Sequence, residues 1–179
     1  MAAGTNGRIA GDAAGSSVAR TQIGVGVDRH PFGPSEPLRL GGIAIPGAPA
    51  LYGHSDGDVA LHAIADGLLG SAGLGDLGRA FPADDRTPRG IASGEMLADV
   101  LARVAAAGWR PTSVDLTIVG ARPRLGAHLD AMREAIGGLI GVERSAVSVK
   151  ASSGNLSGDD GAGRTISATA VVLVGAAGG

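Results

Sequence analysis

The chain contains no cysteine. A disulfide framework and a thiolate metal site are both excluded, so any transition metal must be held by histidine and carboxylate. Nor is there a charge excess: 15 basic residues stand against 17 acidic ones, which leaves no surplus to hold a phosphate backbone and no charge run for an anionic membrane. Nucleic acid and membrane are therefore not expected as partners. No apolar run approaches the roughly 20 residues of a membrane span, and Met1 to Arg20 lacks the continuous apolar stretch of a secretory signal. The expected compartment is the cytoplasm. Aromatic residues are scarce, with Tyr52, Trp109, Phe32 and Phe81 as the whole set, whereas glycine numbers 32. A core of Ala, Val, Leu and Ile buries less area per side chain, so a lone subunit is expected to be marginal, and an oligomer would relieve that.

What the 179 residues do supply is enough core for one domain, and too little for two without a visible linker. Residues 1–20, rich in Ala, Gly and Ser, read as a disordered extension; 21–175 read as the domain and 176–179 as a tail. Apolar alternation predicts strands over Ile23–Val27 and Leu38–Ile45. A helix follows from about Asp56 to Leu69, with Ser55, Asp56 and Asp58 supplying N-terminal capping character. The glycine-rich stretch Gly70–Gly78 and the turn residues through Asp85 read as loop. Ser93 opens a second helix with the stripe Leu97, Val100, Leu101 and Val104, stopped at Gly108. A strand over Val114–Val119, a helix marked by Leu129, Met132, Ile136 and Leu139, and strands over Val147–Ala151 and Ile166–Val174 complete the chain. The order is β-β-α-α-β-α-β-β, and the fold class is α+β, an α/β sandwich with one mixed sheet covered on one face by helices.

Asp28 and His30 stand two apart at the end of a strand, so both side chains leave the same face and can converge on one ion. His62 lies on the first helix, with Asp58 and Asp66 one turn to either side, and one of those carboxylates could orient its imidazole. Asp plus two His is a donor set that zinc accepts, with a fourth tetrahedral position left for substrate. His54 and Ser55 stand at the start of the same helix, where free N–H groups favour an anion such as phosphate; the plainer reading is an ordinary cap. Lys150, Ser152 and Ser153 at a strand end join a positive charge to two hydroxyls, although a solvated strand terminus has the same composition.

Taken together these pieces resemble a known family. Gly24-Val25-Gly26-Val27-Asp28-Arg29-His30-Pro31-Phe32-Gly33, then Gly53-His54-Ser55-Asp56-Gly57-Asp58-Val59-Ala60-Leu61-His62, then Leu74-Gly75-Asp76-Leu77-Gly78 and Phe81-Pro82 look like the signature of the 2-C-methyl-D-erythritol 2,4-cyclodiphosphate synthases, in the family order. The resemblance implies a homotrimer with active sites between neighbouring subunits. Each site would cyclise 4-diphosphocytidyl-2-C-methyl-D-erythritol 2-phosphate and release CMP, a step of isoprenoid precursor synthesis. It also implies that Asp28, His30 and His62 hold Zn2+, that His54 and Ser55 meet the substrate phosphates and methylerythritol, and that Asp76 and Gly78 contact the ribose. Gly120, Arg124, Leu125 and Gly126 fall where the family loop surrounds cytosine, and Lys150, Ser152 and Ser153 where the family meets the nucleotide phosphates.

The resemblance has gaps. Where the family carries a Glu that helps hold Mg2+ or Mn2+ with the substrate, this chain has Asn155, whose neutral amide offers an oxygen without the charge that recruits a hard cation. Asp159 or Asp160 could take its place. The run Gly158-Asp159-Asp160-Gly161-Ala162-Gly163-Arg164-Thr165 lacks the Phe, Arg and Glu that line the family's trimer axis, so no isoprenoid diphosphate is expected there. Phe81-Pro82-Ala83-Asp84-Asp85 alters the lid that meets the methylerythritol. Two alternatives follow: a non-cyclising paralogue that binds zinc and a cytidine nucleotide, and a zinc-dependent diphosphate hydrolase.

Overall fold

Four segments in which apolar and polar residues alternate build one sheet. The structure, a computed structural model, describes residues 20–177, so the expected extension, apart from Arg20, and the last two residues lie outside the described residues. Strands β1 (Thr21–Pro31), β4 (Trp109–Val119), β5 (Val147–Ser152) and β6 (Thr165–Ala176) lie in the order β1-β6-β4-β5. The pairs of β6 with β1 and with β4 are antiparallel, and β4 runs parallel to β5. A mixed sheet was expected, and it is present. Helices α1 (Val59–Ser71), α3 (Ser93–Ala106) and α4 (Leu129–Ile140) cover one face. Val114, Leu116, Ile118, Val147, Ile166, Ala168, Ala170, Val172 and Val174 are buried beneath them.

The other face carries Ile23, Val25 and Val27 on β1, each more than half exposed, with Val171 and Leu173 beside them. The register sets Ile23 opposite Leu173 and Val25 opposite Val171, so these five form one continuous apolar stripe.

Glycines make room for α1. A Cβ at Gly26 would run into the Ala63 carbonyl oxygen and lie 2.6 Å from the Gly67 amide nitrogen, and one at Gly24 would lie 2.8 Å from the Ser71 amide nitrogen. The helix therefore rests directly on the β1 backbone, which larger residues would forbid.

Several elements differ from the expectation. The run Leu38–Ile45 is a hairpin, β2 (Leu38–Leu40) against β3 (Ile43–Ile45), because Gly41 and Gly42 take φ of 63° and 80° and reverse the chain. The stretch read as loop contains a one-turn helix α2 (Leu77–Ala80), capped by Asp76. Strand β4 begins at Trp109 rather than Val114, since an irregularity between Pro111 and Ser113 absorbs the proline. A short α5 (Gly158–Gly161) precedes β6. On α4 the buried stripe is Met132, Ile136 and Ile140, while Leu139 is exposed. Among the described residues no helix is long and apolar enough to cross a membrane.

Candidate active site

Beyond Gly24 and Gly26, β1 continues on the same face with Asp28 and His30, and the close approach of α1 brings His62 to meet them. One donor atom from each of the three lies within 4.8 Å of the others. His62 Nδ1 is 2.8 Å and His30 Nε2 3.0 Å from the same oxygen, Asp28 Oδ2.

The orientation of His30 is fixed from behind. Its Nδ1 donates to the Tyr52 carbonyl oxygen at 2.6 Å, so in the neutral ring Nε2 turns a lone pair toward a carboxylate oxygen. Two acceptors facing each other at 3.0 Å require a positive charge, either a proton or a metal ion. The effect is visible in the charge states. Burial works against the ionised form of Asp28, but hydrogen bonds from His30 and His62 overcome it and hold the carboxyl far below the ordinary carboxylate range. The hydrogen bond to Asp28 raises His30 above its usual value, against the opposing effect of burial. With Asp and His donors converging and one oxygen shared, the residues fit a divalent metal.

The sequence placed Asp58 or Asp66 behind His62. Neither stands there. Asp58, almost fully buried, caps α1 by accepting from the Ala60 and Leu61 amides at 3.1 Å each, and it accepts from Gly41 and Gly42 at 2.8 Å each. Asp66 accepts from the Leu77 amide at 2.9 Å. At the helix start Asp58 thus takes the cap position, and its carboxylate holds two of the amides that the N-terminus offers, those of Ala60 and Leu61. His62 Nε2 instead faces two hydroxyls, Ser55 at 3.0 Å and Ser93 at 2.9 Å. Ser93 was read only as a helix start; it lies 31 residues from His62, and no local pattern connects the two.

His54 donates from Nε2 to the Thr87 carbonyl at 2.7 Å. It lines a cavity of about 140 Å³ together with Ser55, the two histidines of the metal cluster, Gly78 and Phe81. Asp76 does not line that cavity; it caps α2, whose Leu77 and Gly78 do, and is exposed and paired with Arg79 at 3.3 Å.

The second predicted group also comes together. Gly120, Arg124, Leu125, Gly126, Ser152 and Ser153 line a larger cavity of about 380 Å³, within the size range of small-molecule sites. It shares no lining residue with the first. Lys150 is not among its walls: the ammonium pairs with Asp115 at 2.6 Å on the open sheet face. Asn155 is exposed with φ of 52°, and the next residue, Leu156, lines the cavity instead. Asp159 and Asp160 are both engaged already. Asp159 pairs with Arg164, while Asp160 is buried and accepts from Arg29 at 3.1 Å, Thr165 at 2.5 Å and Ser167 at 2.8 Å.

The fold and the site together define an α+β protein with three donors that could hold a metal ion at the end of one strand and a separate cavity lined by two loops. The model of the YgbB family matches residues 21–175, and the chain belongs to that family. The 2-C-methyl-D-erythritol 2,4-cyclodiphosphate synthase of Alkalilimnicola ehrlichii is 47% identical over 154 residues, which are 86% of this chain and 94% of that protein. The protein of the same name from Symbiobacterium thermophilum is 47% identical over 85% of this chain and 97% of its own length. Among solved structures, a 2C-methyl-D-erythritol-2,4-cyclodiphosphate synthase in its CDP-bound form is 35% identical. It aligns with a TM-score of 0.75 over 86% of this chain and 99% of that one.

Proposed function

We propose that the chain is a 2-C-methyl-D-erythritol 2,4-cyclodiphosphate synthase, converting 4-diphosphocytidyl-2-C-methyl-D-erythritol 2-phosphate to the cyclic diphosphate and CMP. The observation that carries this reading is the convergence of Asp28, His30 and His62 beside His54 and Ser55, in a chain 47% identical to proteins of that name. In the reaction a 2-phosphate oxygen bonds to the β-phosphorus and the bond from that phosphorus to the CMP oxygen breaks, with CMP leaving as an anion. No group is oxidised and no covalent enzyme intermediate is needed; positioning and positive charge supply the acceleration.

Asp28, His30 and His62 would hold zinc, which when bound supplies Lewis-acid polarisation of a phosphate oxygen. The chain's own groups do the rest. Ser55 Oγ accepts from the Gly57 amide at 3.1 Å, which fixes the hydroxyl beside the metal cluster where its O–H can donate to a phosphate oxygen. His54, locked by Thr87, offers a second polar group in the same cavity. The Ser152 and Ser153 hydroxyls and the backbone of Gly120, Arg124, Leu125 and Gly126 would receive the cytidine nucleotide, with Asp76 and Gly78 on its ribose. The CDP bound to the solved relative supports a nucleotide ligand of this kind. Magnesium or manganese is left without the family's carboxylate at Asn155.

The two cavities have no wall in common, and in a homotrimer the nucleotide loop of one subunit would meet the metal cluster of a neighbouring copy. The apolar stripe on the open sheet face favours such a homotrimer, since an exposed patch of this kind marks an interaction surface.

Incubating the zinc-loaded protein with the diphosphocytidyl substrate and separating products by chromatography tests the reading. CMP together with a cyclic product is expected. CMP with a linear product would identify a hydrolase, and CDP binding without any turnover would identify the non-cyclising paralogue.

A further inference from the structure

His62 is the ligand whose second nitrogen has no carbonyl behind it. Ser93 Oγ, 2.9 Å from Nε2, is buried at 1% exposure, and the same Oγ donates to Asp56 Oδ1 in a short hydrogen bond. The direction of this chain follows from its ends. An ionised carboxylate only accepts, so the serine proton points to Asp56, and the serine oxygen must then accept from Nε2–H. Nδ1, 2.8 Å from Asp28 Oδ2, is the nitrogen left to face the site, where it can hold a metal ion or, with none bound, share a proton with Asp28.

The placement of Ser93 is unusual for its local position. A serine in the first turn of a helix ordinarily serves the helix end, yet α3 begins at an Ala92 cap with no side-chain hydrogen bond, and the Ser93 hydroxyl is turned away to the site. Asp56 Oδ1, which accepts from Ser93, also accepts from the Asp58 amide at 3.3 Å, while Asp58 caps α1.

We propose that Ser93 and Asp56 are positioning residues of the metal centre, a serine-relayed carboxylate that sets the His62 tautomer and ring orientation. The inference rests on the reading of Asp28, His30 and His62 as metal ligands. Neither residue touches substrate; both act through His62. His30 is oriented by a neutral carbonyl and His62 by a carboxylate one hydroxyl away, so the two ligands differ in basicity, and His62 is the stronger donor.

Two measurements on the full chain test it. Long-range proton–nitrogen NMR of the zinc-loaded protein reads His62 directly: a hydrogen-bonded Nε2–H is expected in the wild type, and Ser93→Ala should shift that proton signal upfield and speed its exchange with water. Competition titration with zinc alone against a chelating dye is expected to show a ~10- to 100-fold weaker affinity for Ser93→Ala. Asp56→Asn should lose less, and Ser93→Thr, which restores a hydroxyl, should recover. A merely structural role would lower the melting temperature without moving the Nε2–H signal. The inference is overturned if His62 of the zinc-loaded wild type carries no proton on Nε2, or if Ser93→Ala binds zinc within twofold of the wild type. A wild type that binds no zinc would sink the metal reading instead.

Discussion

Replacing Gly26 by alanine separates a metal centre built by helix packing from one that merely sits near a helix. The added Cβ would lie 2.6 Å from the Gly67 amide nitrogen, where ordinary contact starts near 3.4 Å. Backbone cannot rotate aside as a side chain can, so α1 must retreat by at least about 0.8 Å. His62 rides on that helix. Its 2.8 Å contact with Asp28 would open to about 3.6 Å, outside hydrogen-bond range, and the donor atoms would no longer converge as they do now. Overpacking of this kind costs about 3 kcal/mol, which in a domain of this size lowers the melting temperature by ~6–12 °C. Zinc affinity should fall at least ~10-fold through the displaced ligand. Thermal melts with and without zinc, and a dye competition titration, read both effects. A Gly26→Ala protein that melts within about 2 °C of the wild type and binds zinc equally well would refute the packing argument.

The remaining predictions concern pH and assembly. His30 has its pKa raised above 6.5 by Asp28, so the pair stabilises the metal-free protein fully below that value and the contribution is lost as pH rises through the folded pKa. Metal-free protein should therefore gain less from His30 at about pH 8 than at about pH 6, and His30→Ala should flatten that part of the melting profile. Zinc must displace the same proton, so its affinity should rise over the interval in which the metal-free pair weakens, as a titration at the two pH values would show. Val25→Asp puts a charge into the apolar stripe of the open sheet face; light scattering should show dissociation to smaller species, and an unchanged mass would remove the stripe from the interface.

Much of this was legible in the sequence for identifiable reasons. Asp28 and His30 obey the two-residue period of a strand, so their shared face follows from spacing alone. The position of His62 on a helix was equally readable, but what stands behind it was not. Helical spacing nominated Asp58 and Asp66, yet their carboxylates are claimed by the amides of Gly41, Gly42 and Leu77, which come from segments distant in the chain. Ser93 reaches His62 only through the packing of α3 against α1. The hairpin was hidden because Leu38–Ile45 is apolar enough to read as a continuous strand, and only the left-handed backbone at Gly41 and Gly42 reverses it. Pro111 masked the first half of β4 for the opposite reason, since a residue that usually ends strands is accommodated at an irregularity. Asp159 and Asp160 were readable as acids but not as acids already paired with Arg164 and Arg29.

Phosphorus NMR of the zinc-loaded protein acting on the diphosphocytidyl methylerythritol phosphate, with Asp28→Asn run in parallel, tests the proposed activity most directly. Cyclic diphosphate and CMP signals are expected from the wild type, and an unchanged substrate spectrum from the variant. An unchanged spectrum from the zinc-loaded wild type, or equal turnover by Asp28→Asn, would contradict the proposed activity and the role of its metal centre.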